Sequence, residues 1–405
     1  MKTQPNPLAT TLIFSAAAAG AIALAADAPK SIRWEKKHLI PDFFSEGAAF
    51  GDFNKDGKMD VVSGPYWWEG PAFEAKHEIY EPKPYPPKGY SDNFLSYAYD
   101  INGDGWDDYL VLGFPGADAF WFKNPQGKEG RWERFNILNP VDNESPHFAD
   151  ITGDGKPEII CSQNGVFGYA EMGEDPEKPW AFTKISAEGA TGGKFTHGLG
   201  IGDVNGDGRM DLLEKGSWLE QPENAKAGEP WAAHTFAFSG PGGAQMFAYD
   251  FDGDGDNDIL TSLAAHAYGL AWYEQADRGD GTKGFNKHVI LNEKDEPNAD
   301  GISFSQLHSI DLRDIDGDGV KDVVTGKRFW AHNGNDPGGN DPAVLYWFKV
   351  VPGGRSGEAS FVPHQIDADS GVGTQVMAGD VTGDGAPDII VGNKKGTFVH
   401  VQKRE

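Results

Sequence analysis

The chain has almost no cysteine: Cys161 is the only one in 405 residues, so no disulfide within the chain holds it together. Positive charge is also scarce. Lys and Arg number 35 against 62 Asp and Glu, and the formal net charge of −27 repels phosphate backbones and anionic lipid surfaces, which argues against nucleic acid as a partner. Long helices have little support, because 54 Gly and 26 Pro favour many short strands joined by tight turns. Familiar catalytic signatures are missing too. There is no G-x-S-x-G elbow, no H-E-x-x-H helix and no G-x-x-x-x-G-K-[ST] phosphate loop; GPGGA at Gly240 to Ala244 comes nearest and lacks the lysine.

What is present is enough apolar sequence, 39% with 12% aromatic, to bury a sizeable core. At the amino terminus Lys2 precedes an Ala-rich run from Leu8 to Ala26, and Ala23 and Ala25 suit an A-x-A cleavage site. Residues 1–26 are therefore expected to be a signal peptide, leaving an exported (secreted or periplasmic) protein with no membrane span after cleavage. Cys161, without a partner, is expected to be a buried small hydrophobe.

The acidic residues are clustered in one nine-residue plan that occurs seven times: DFNKDGKMD, DINGDGWDD, DITGDGKPE, DVNGDGRMD, DFDGDGDND, DIDGDGVKD and DVTGDGAPD. These loops begin at Asp52, Asp100, Asp150, Asp203, Asp250, Asp314 and Asp380, so successive starts lie 48, 50, 53, 47, 64 and 66 residues apart. That is the period of a four-stranded propeller blade. Around each loop the pattern is the same. A small apolar stretch such as GAAFG leads in, a β-branched run such as DVVSG leads out, an aromatic strand such as YWWE, AFWF, AWYE or LYWF follows, and a fourth strand such as HEIY or KHVIL comes last. The seventh repeat stops at FVHVQ without a fourth strand, while the chain begins with a spare one, IRWEKKHLI over Ile32 to Ile40. The predicted fold is all-β: a seven-bladed β-propeller over residues 31–402, closed by an N-terminal strand that completes the last blade.

The repeat resembles the FG-GAP or VCBS-type repeats of integrin-like and bacterial exported propellers. Thr152 and Thr382 depart from Asn or Asp at the third loop position, and Glu158 from Asp at the ninth. Oxygen ligands at alternate positions, with glycine permitting a sharp turn, let one short segment surround Ca2+, which takes about 6–8 oxygens. An EF-hand is excluded, because the last acid stands at position nine between strands and not at position twelve before a helix. The structural calcium ligands expected are Asp52, Asn54, Asp56 and Asp60; Asp100, Asn102, Asp104 and Asp108; Asp150, Asp154 and Glu158; Asp203, Asn205, Asp207 and Asp211; Asp250, Asp252, Asp254 and Asp258; Asp314, Asp316, Asp318 and Asp322; and Asp380, Asp384 and Asp388. Loops three and seven, with threonine at the third position, are expected to bind most weakly. Tight Asp-Gly turns without metal are the competing explanation.

The face opposite these loops is where chemistry is expected. Six residues before each loop stand Glu46, Phe94, Glu144, His197, Ala244, His308 and Thr374, and nearby turns add Tyr66, Trp67, Lys215, Trp218, His266, Tyr268, Lys327, Arg328, His332, Lys394 and Lys395. His197, His266 and His308 fall in consecutive repeats and form a set able to hold Zn2+ or another divalent metal, with Glu144 as carboxylate ligand or base, and Lys215, Arg328 and Lys394 point to an anionic or oxygen-rich ligand. Satisfied polar histidines and core aromatics are the competing reading. The arrangement is similar to the propeller part of aldos-2-ulose dehydratases, and similar propellers occur among polysaccharide lyases; that resemblance implies a metal-assisted sugar lyase or dehydratase in which Glu144 or Glu46 removes a proton and Arg328 or Lys215 holds the substrate. The alternative is a non-catalytic module that binds a glycan or a protein, as in integrin-like propellers.

Overall fold

The computed structural model describes residues 31–226, 228–279, 282–353 and 358–404; the expected signal peptide, residues 1–26, lies outside them. The described residues are almost entirely strand and turn, with one 3-10 segment at Ala331–Gly334, and none of their helices is long and apolar enough to cross a membrane.

Each Asp-rich loop joins the first two strands of an antiparallel meander. In the first repeat, Ala49–Gly51, Asp60–Ser63, Tyr66–Trp68 and Lys76–Glu78 pair in that order. The loop's first aspartate folds the turn: Asp52 accepts the amides of Asp56 at 3.0 Å and Gly57 at 2.8 Å, and Gly57 takes a φ of 82°, open at little cost only to glycine. The ninth acid does something else. Asp60 is fully buried and accepts the amides of Phe53 at 3.0 Å, inside the loop, and Gly70 at 2.9 Å, beyond the third strand. The same two-sided grip recurs at Asp108, Asp211, Asp258, Asp322 and Asp388. Glu158 spends one oxygen on two loop amides, Ile151 and Thr152. Burial, outweighing these hydrogen bonds, pushes Asp60 and Asp211 up to about 6 and Asp108, Asp258, Asp322 and Glu158 up to about 7.

An amide side chain near the end of the third strand or just past it then ties one repeat to the one before. Asn124 donates to Phe53 O at 2.9 Å, Gln221 to Ile151 O at 2.7 Å, Gln275 to Val204 O at 2.9 Å and Gln402 to Ile315 O at 2.9 Å. The apolar core fills the space between successive sheets: Phe53, Val62 and Trp67 pack against Tyr109, Val111 and Phe122 of the next repeat. The last repeat packs on the first in the same way, Ile390, Val399 and Val401 against Val61, Tyr66 and Trp68. This is the closed arrangement of a β-propeller.

Hydrogen bonding groups the strands into five sheets. Glu133–Ala149 is one long strand that serves two meanders and makes a seven-stranded sheet; Leu199–Gly202 and Gln245–Tyr249 lie parallel and join two more into an eight-stranded one. Strand Ile32–Ile40 pairs antiparallel with Gly396–Arg404, from Ile32 opposite Arg404 to Ile40 opposite Thr397, so the chain ends share a sheet. At the centre, Gln375 exchanges hydrogen bonds with both backbone groups of Ser96 at 2.8 Å, and Gln245 donates to Thr374 O at 3.1 Å, so side chains bridge repeats seven, two and five and fill the axis at this level.

The third-strand tryptophans form a second repeated device. Trp67, Trp218, Trp272 and Trp347 stack on the histidine directly opposite in the fourth strand, His77, His234, His288 and His364, with ring centroids 4.1, 4.0, 4.5 and 4.3 Å apart. Trp67 and Trp218 therefore belong to the strands and not to the mouth. Cys161 is buried, and burial raises its thiol well above the usual range.

Replacing the ninth acid leaves two or three buried amides without acceptors, each worth about 1–3 kcal/mol. Asp388→Ala is expected to cost about 2–4 kcal/mol in denaturant unfolding with EDTA present. Asp384→Ala, exposed in the same loop, should cost under about 1 kcal/mol; equal losses would remove the fastening role.

Candidate functional site

The first strand of each repeat runs into its Asp loop, so residues six positions earlier stand at the strand's opposite end. There the chain brings Glu144, His197 and His308 together, and His266 joins them from the turn after strand Asp258–Ser262. One ligand atom from each of the four lies within 4.8 Å of the others. His197 Nε2 faces His266 Nε2 at 3.1 Å, and Glu144 Oε2 is 3.1 Å from His308 Nε2 and 3.5 Å from His197 Nε2. The His308 contact is not aligned as a hydrogen bond, and neither ring nitrogen of this fully buried histidine has a hydrogen-bond partner.

Arg328 closes the cluster from below. It is 1% exposed, its Nη1 lies 3.5 Å from Glu144 Oε2, and its Nη2 bonds Glu46, itself 1% exposed. Burial, with the charges of His308, Arg328 and His197 adding to it, pushes His266 down to about 2; burial and Arg328 push His308 down to about 4. Both imidazoles are thus neutral near pH 7, with lone pairs free for a metal. Burial opposes ionisation of Glu144, yet His197 and His308 hold its carboxyl well below the usual range. Two neutral imidazoles, the neighbouring imidazole of His197, an ionised carboxylate and the orphaned ring nitrogens of His308 fit a zinc-like ion, which prefers nitrogen and oxygen donors at four-coordinate sites.

Beside the cluster lies a pocket of about 270 Å3, lined by Glu144, His197, His266, Arg328 and His332 together with Tyr90, Phe94, Phe114 and Phe195; His308, fully buried, does not line it. Phe114 meets Phe94 and Phe195 edge-on at 5.2 and 5.6 Å, and Phe195 is 48% exposed. Of these aromatics Phe94 stands at the repeat-equivalent strand end and Phe114 in the turn between the second and third strands, at the same offset from its loop as Arg328; Tyr90 and Phe195 come from connections without a periodic signal. Glu46 and Lys215 are not among the lining residues. Glu46 is the counter-ion of Arg328, and the Lys215 carbonyl accepts the amides of Phe238 and Ser239. Lys327 is buried, donating to Gly338 O at 2.6 Å. Lys394 lies 4.4 Å over the ring of Tyr90. A wider groove of about 640 Å3 between repeats one and two, lined by Trp67, His77 and Trp132, is not lined by these four ligands.

The Asp loops differ in their fit to a cation. Carboxylate oxygens gather within 4.8 Å in Asp150, Asp154 and Glu158, in Asp250, Asp252 and Asp254, and in Asp314, Asp316 and Asp322. Asp252 Oδ2 is buried without a partner, the clearest opening for an ion. In loop six, by contrast, Lys349 pairs with both Asp316 and Asp318, and in loop four Arg209 pairs with Asp207. Loop three, expected to be weak for its Thr152, is among the three whose acids gather.

Arg328→Met would leave Glu46 and Glu144 without their buried cation and is expected to cost about 3–5 kcal/mol in denaturant unfolding. Adding Glu46→Gln should recover at least about 1 kcal/mol of that loss. Strict additivity would show that the pair is not coupled.

Comparison with known proteins agrees with this architecture. Residues 100–161 match the FG-GAP-like repeat family and residues 372–401 the FG-GAP repeat family. No curated protein matches the chain as a relative. Among solved structures, a lectin of Agrocybe aegerita described for specific recognition of non-reducing terminal N-acetylglucosamine superposes with a TM-score of 0.51 at 17% identity, covering 93% of this chain and 86% of its own. The rhamnogalacturonan lyase YesW aligns with a TM-score of 0.41 at 11% identity over 91% of this chain and 72% of its own. The chain is thus strand-rich, matches FG-GAP repeat families over residues 100–161 and 372–401, and has a β-propeller-like fold.

Proposed function

We propose that the chain is an exported, calcium-stabilised propeller of seven four-stranded blades that acts on carbohydrate at its mouth as a metal-assisted sugar lyase or dehydratase. The observation that carries this reading is the convergence of Glu144, His197, His266 and His308, the first three of which line a pocket together with the aromatic rings of Tyr90, Phe94, Phe114 and Phe195. A sugar ring presents both faces such a pocket asks for: C–H bonds to lie on Phe94, Phe114 and Phe195, and hydroxyl or carboxyl oxygens to meet Arg328 and the cluster. The plugged axis beneath and the volume of about 270 Å3 suit one sugar unit at a chain end.

His197, His266 and His308 would hold the metal, whose bound form supplies Lewis-acid polarisation of a carbonyl oxygen. Glu144, ionised and facing the pocket, removes the proton from the carbon next to that carbonyl. The hydroxyl on the following carbon leaves as water with the proton that Glu144 took, so a carbon–carbon double bond replaces the C–H and C–O bonds and the carboxylate is restored. Glu46, sequestered by Arg328, keeps the guanidinium in place and takes no part in proton transfer. The Asp loops hold calcium as a structural ion, neutralising carboxylates that otherwise repel one another.

A second reading, glycan binding without chemistry, is favoured by the fold similarity to the lectin. Purified protein should retain about one zinc per chain after mild calcium chelation, and His197→Ala with His308→Ala should abolish it. Incubation with ketosugars and uronic-acid polysaccharides should yield a conjugated product with new ultraviolet absorbance. Glycan retention with neither zinc nor product would replace the enzyme with the binding module. Calcium at about 100 times its dissociation constant should stabilise the fold by about 2.7 kcal/mol per site; an unchanged Tm on adding calcium to chelated protein would remove calcium from the account.

A further inference from the structure

The connection between the second and third strands spans only residues 64–65, 164–165, 215–216 and 394–395 in repeats one, three, four and seven, but residues 327–344 in repeat six. That insertion is fastened over the mouth. Buried Lys327 donates to Gly338 O at 2.6 Å and Ser305 Oγ at 3.2 Å, and the His332 amide meets the Tyr90 hydroxyl at 3.3 Å across the pocket. Between these anchors Trp330, His332 and Asn333 hold left-handed φ values of 61°, 46° and 58°, a conformation non-glycine residues seldom adopt and one that clusters at functional sites.

The bent segment delivers Asp336. Its Oδ2 lies 3.2 Å from His266 Nδ1, and both its oxygens lie 3.0 and 3.1 Å from His332 Nδ1, with the side chain 14% exposed. A carboxylate only accepts hydrogen bonds, so the proton of neutral His266 sits on Nδ1. The lone pair then sits on Nε2, the atom that faces His197 Nε2 at 3.1 Å inside the cluster.

We propose that Asp336 is a positioning residue that fixes the tautomer and ring orientation of His266, so that a segment outside the repeat plan completes the metal site. The inference rests on the metal reading above only for its consequence; the orientation itself belongs to the metal-free protein. Carboxylates that hold the far nitrogen of a ligating imidazole raise metal affinity by about 10–100-fold.

The test compares the full chain with Asp336→Ala and Asp336→Asn by 15N NMR of the metal-free histidines at neutral pH and by zinc competition against a chromophoric chelator. His266 should carry its proton on Nδ1 in the parent and in Asp336→Asn, whose amide oxygen still accepts, and should lose that preference in Asp336→Ala. Zinc affinity should fall about 10–100-fold in Asp336→Ala and less in Asp336→Asn. An Nδ1-protonated parent that binds no zinc would sink the metal reading while leaving the orientation supported. The same tautomer in Asp336→Ala, an unchanged zinc affinity, or two zinc ions falling to one would overturn the positioning role.

Discussion

The structure depends on a buried carboxylate that grips backbone amides on two sides. At the ninth loop position, Asp60 and its aspartate counterparts tie the loop's second residue to an amide near the end of the third strand or just beyond it, so three strands are fixed against one another at one end of the sheet. Such a group is costly to bury unless its oxygens are satisfied. The amides of Phe53 and Gly70, or of Ile315 and Val350, satisfy it, and Asn124, Gln221, Gln275 and Gln402 carry the constraint from one repeat to the next. With no disulfide available, this network and the apolar layers between sheets hold the ring.

Fixing the loop end fixes the other end as well. A short strand links each Asp loop to the residue six positions earlier, so equivalent residues of different repeats converge, and what they are decides the local chemistry. Thr374 and its neighbour Gln375 knit the axis with hydrogen bonds, whereas Glu144, His197 and His308 make a polar cluster and Phe94 an apolar wall. Burial then sets the charge states: two imidazoles are held neutral and one carboxylate ionised, beside a guanidinium whose charge Glu46 balances.

The parts legible in the sequence are those governed by the repeat. Strand order, the loop positions and the set Glu144, His197 and His308 follow from a fixed spacing, and His266 and Arg328 from the turn that faces the same way. Other features depend on register or on irregular chain. The stacking of Trp67 on His77 or Trp272 on His288 requires knowing which residues stand opposite in neighbouring strands. Tyr90, Phe195 and Asp336 lie in connections of variable length, where spacing carries no information, whereas Phe114 shares the turn position of Arg328. Glu46 shares the strand-end position of Glu144 but meets Arg328 first, a choice made by side-chain packing that no periodicity encodes.

The strand-end cluster is proposed to hold a transition metal. Anomalous diffraction at the zinc edge, from crystals grown with zinc, measures this directly. The account predicts one strong peak within bonding distance of His197, His266 and His308 and beside Glu144. Density confined to the Asp loops, with the four side chains paired only to one another, would contradict it.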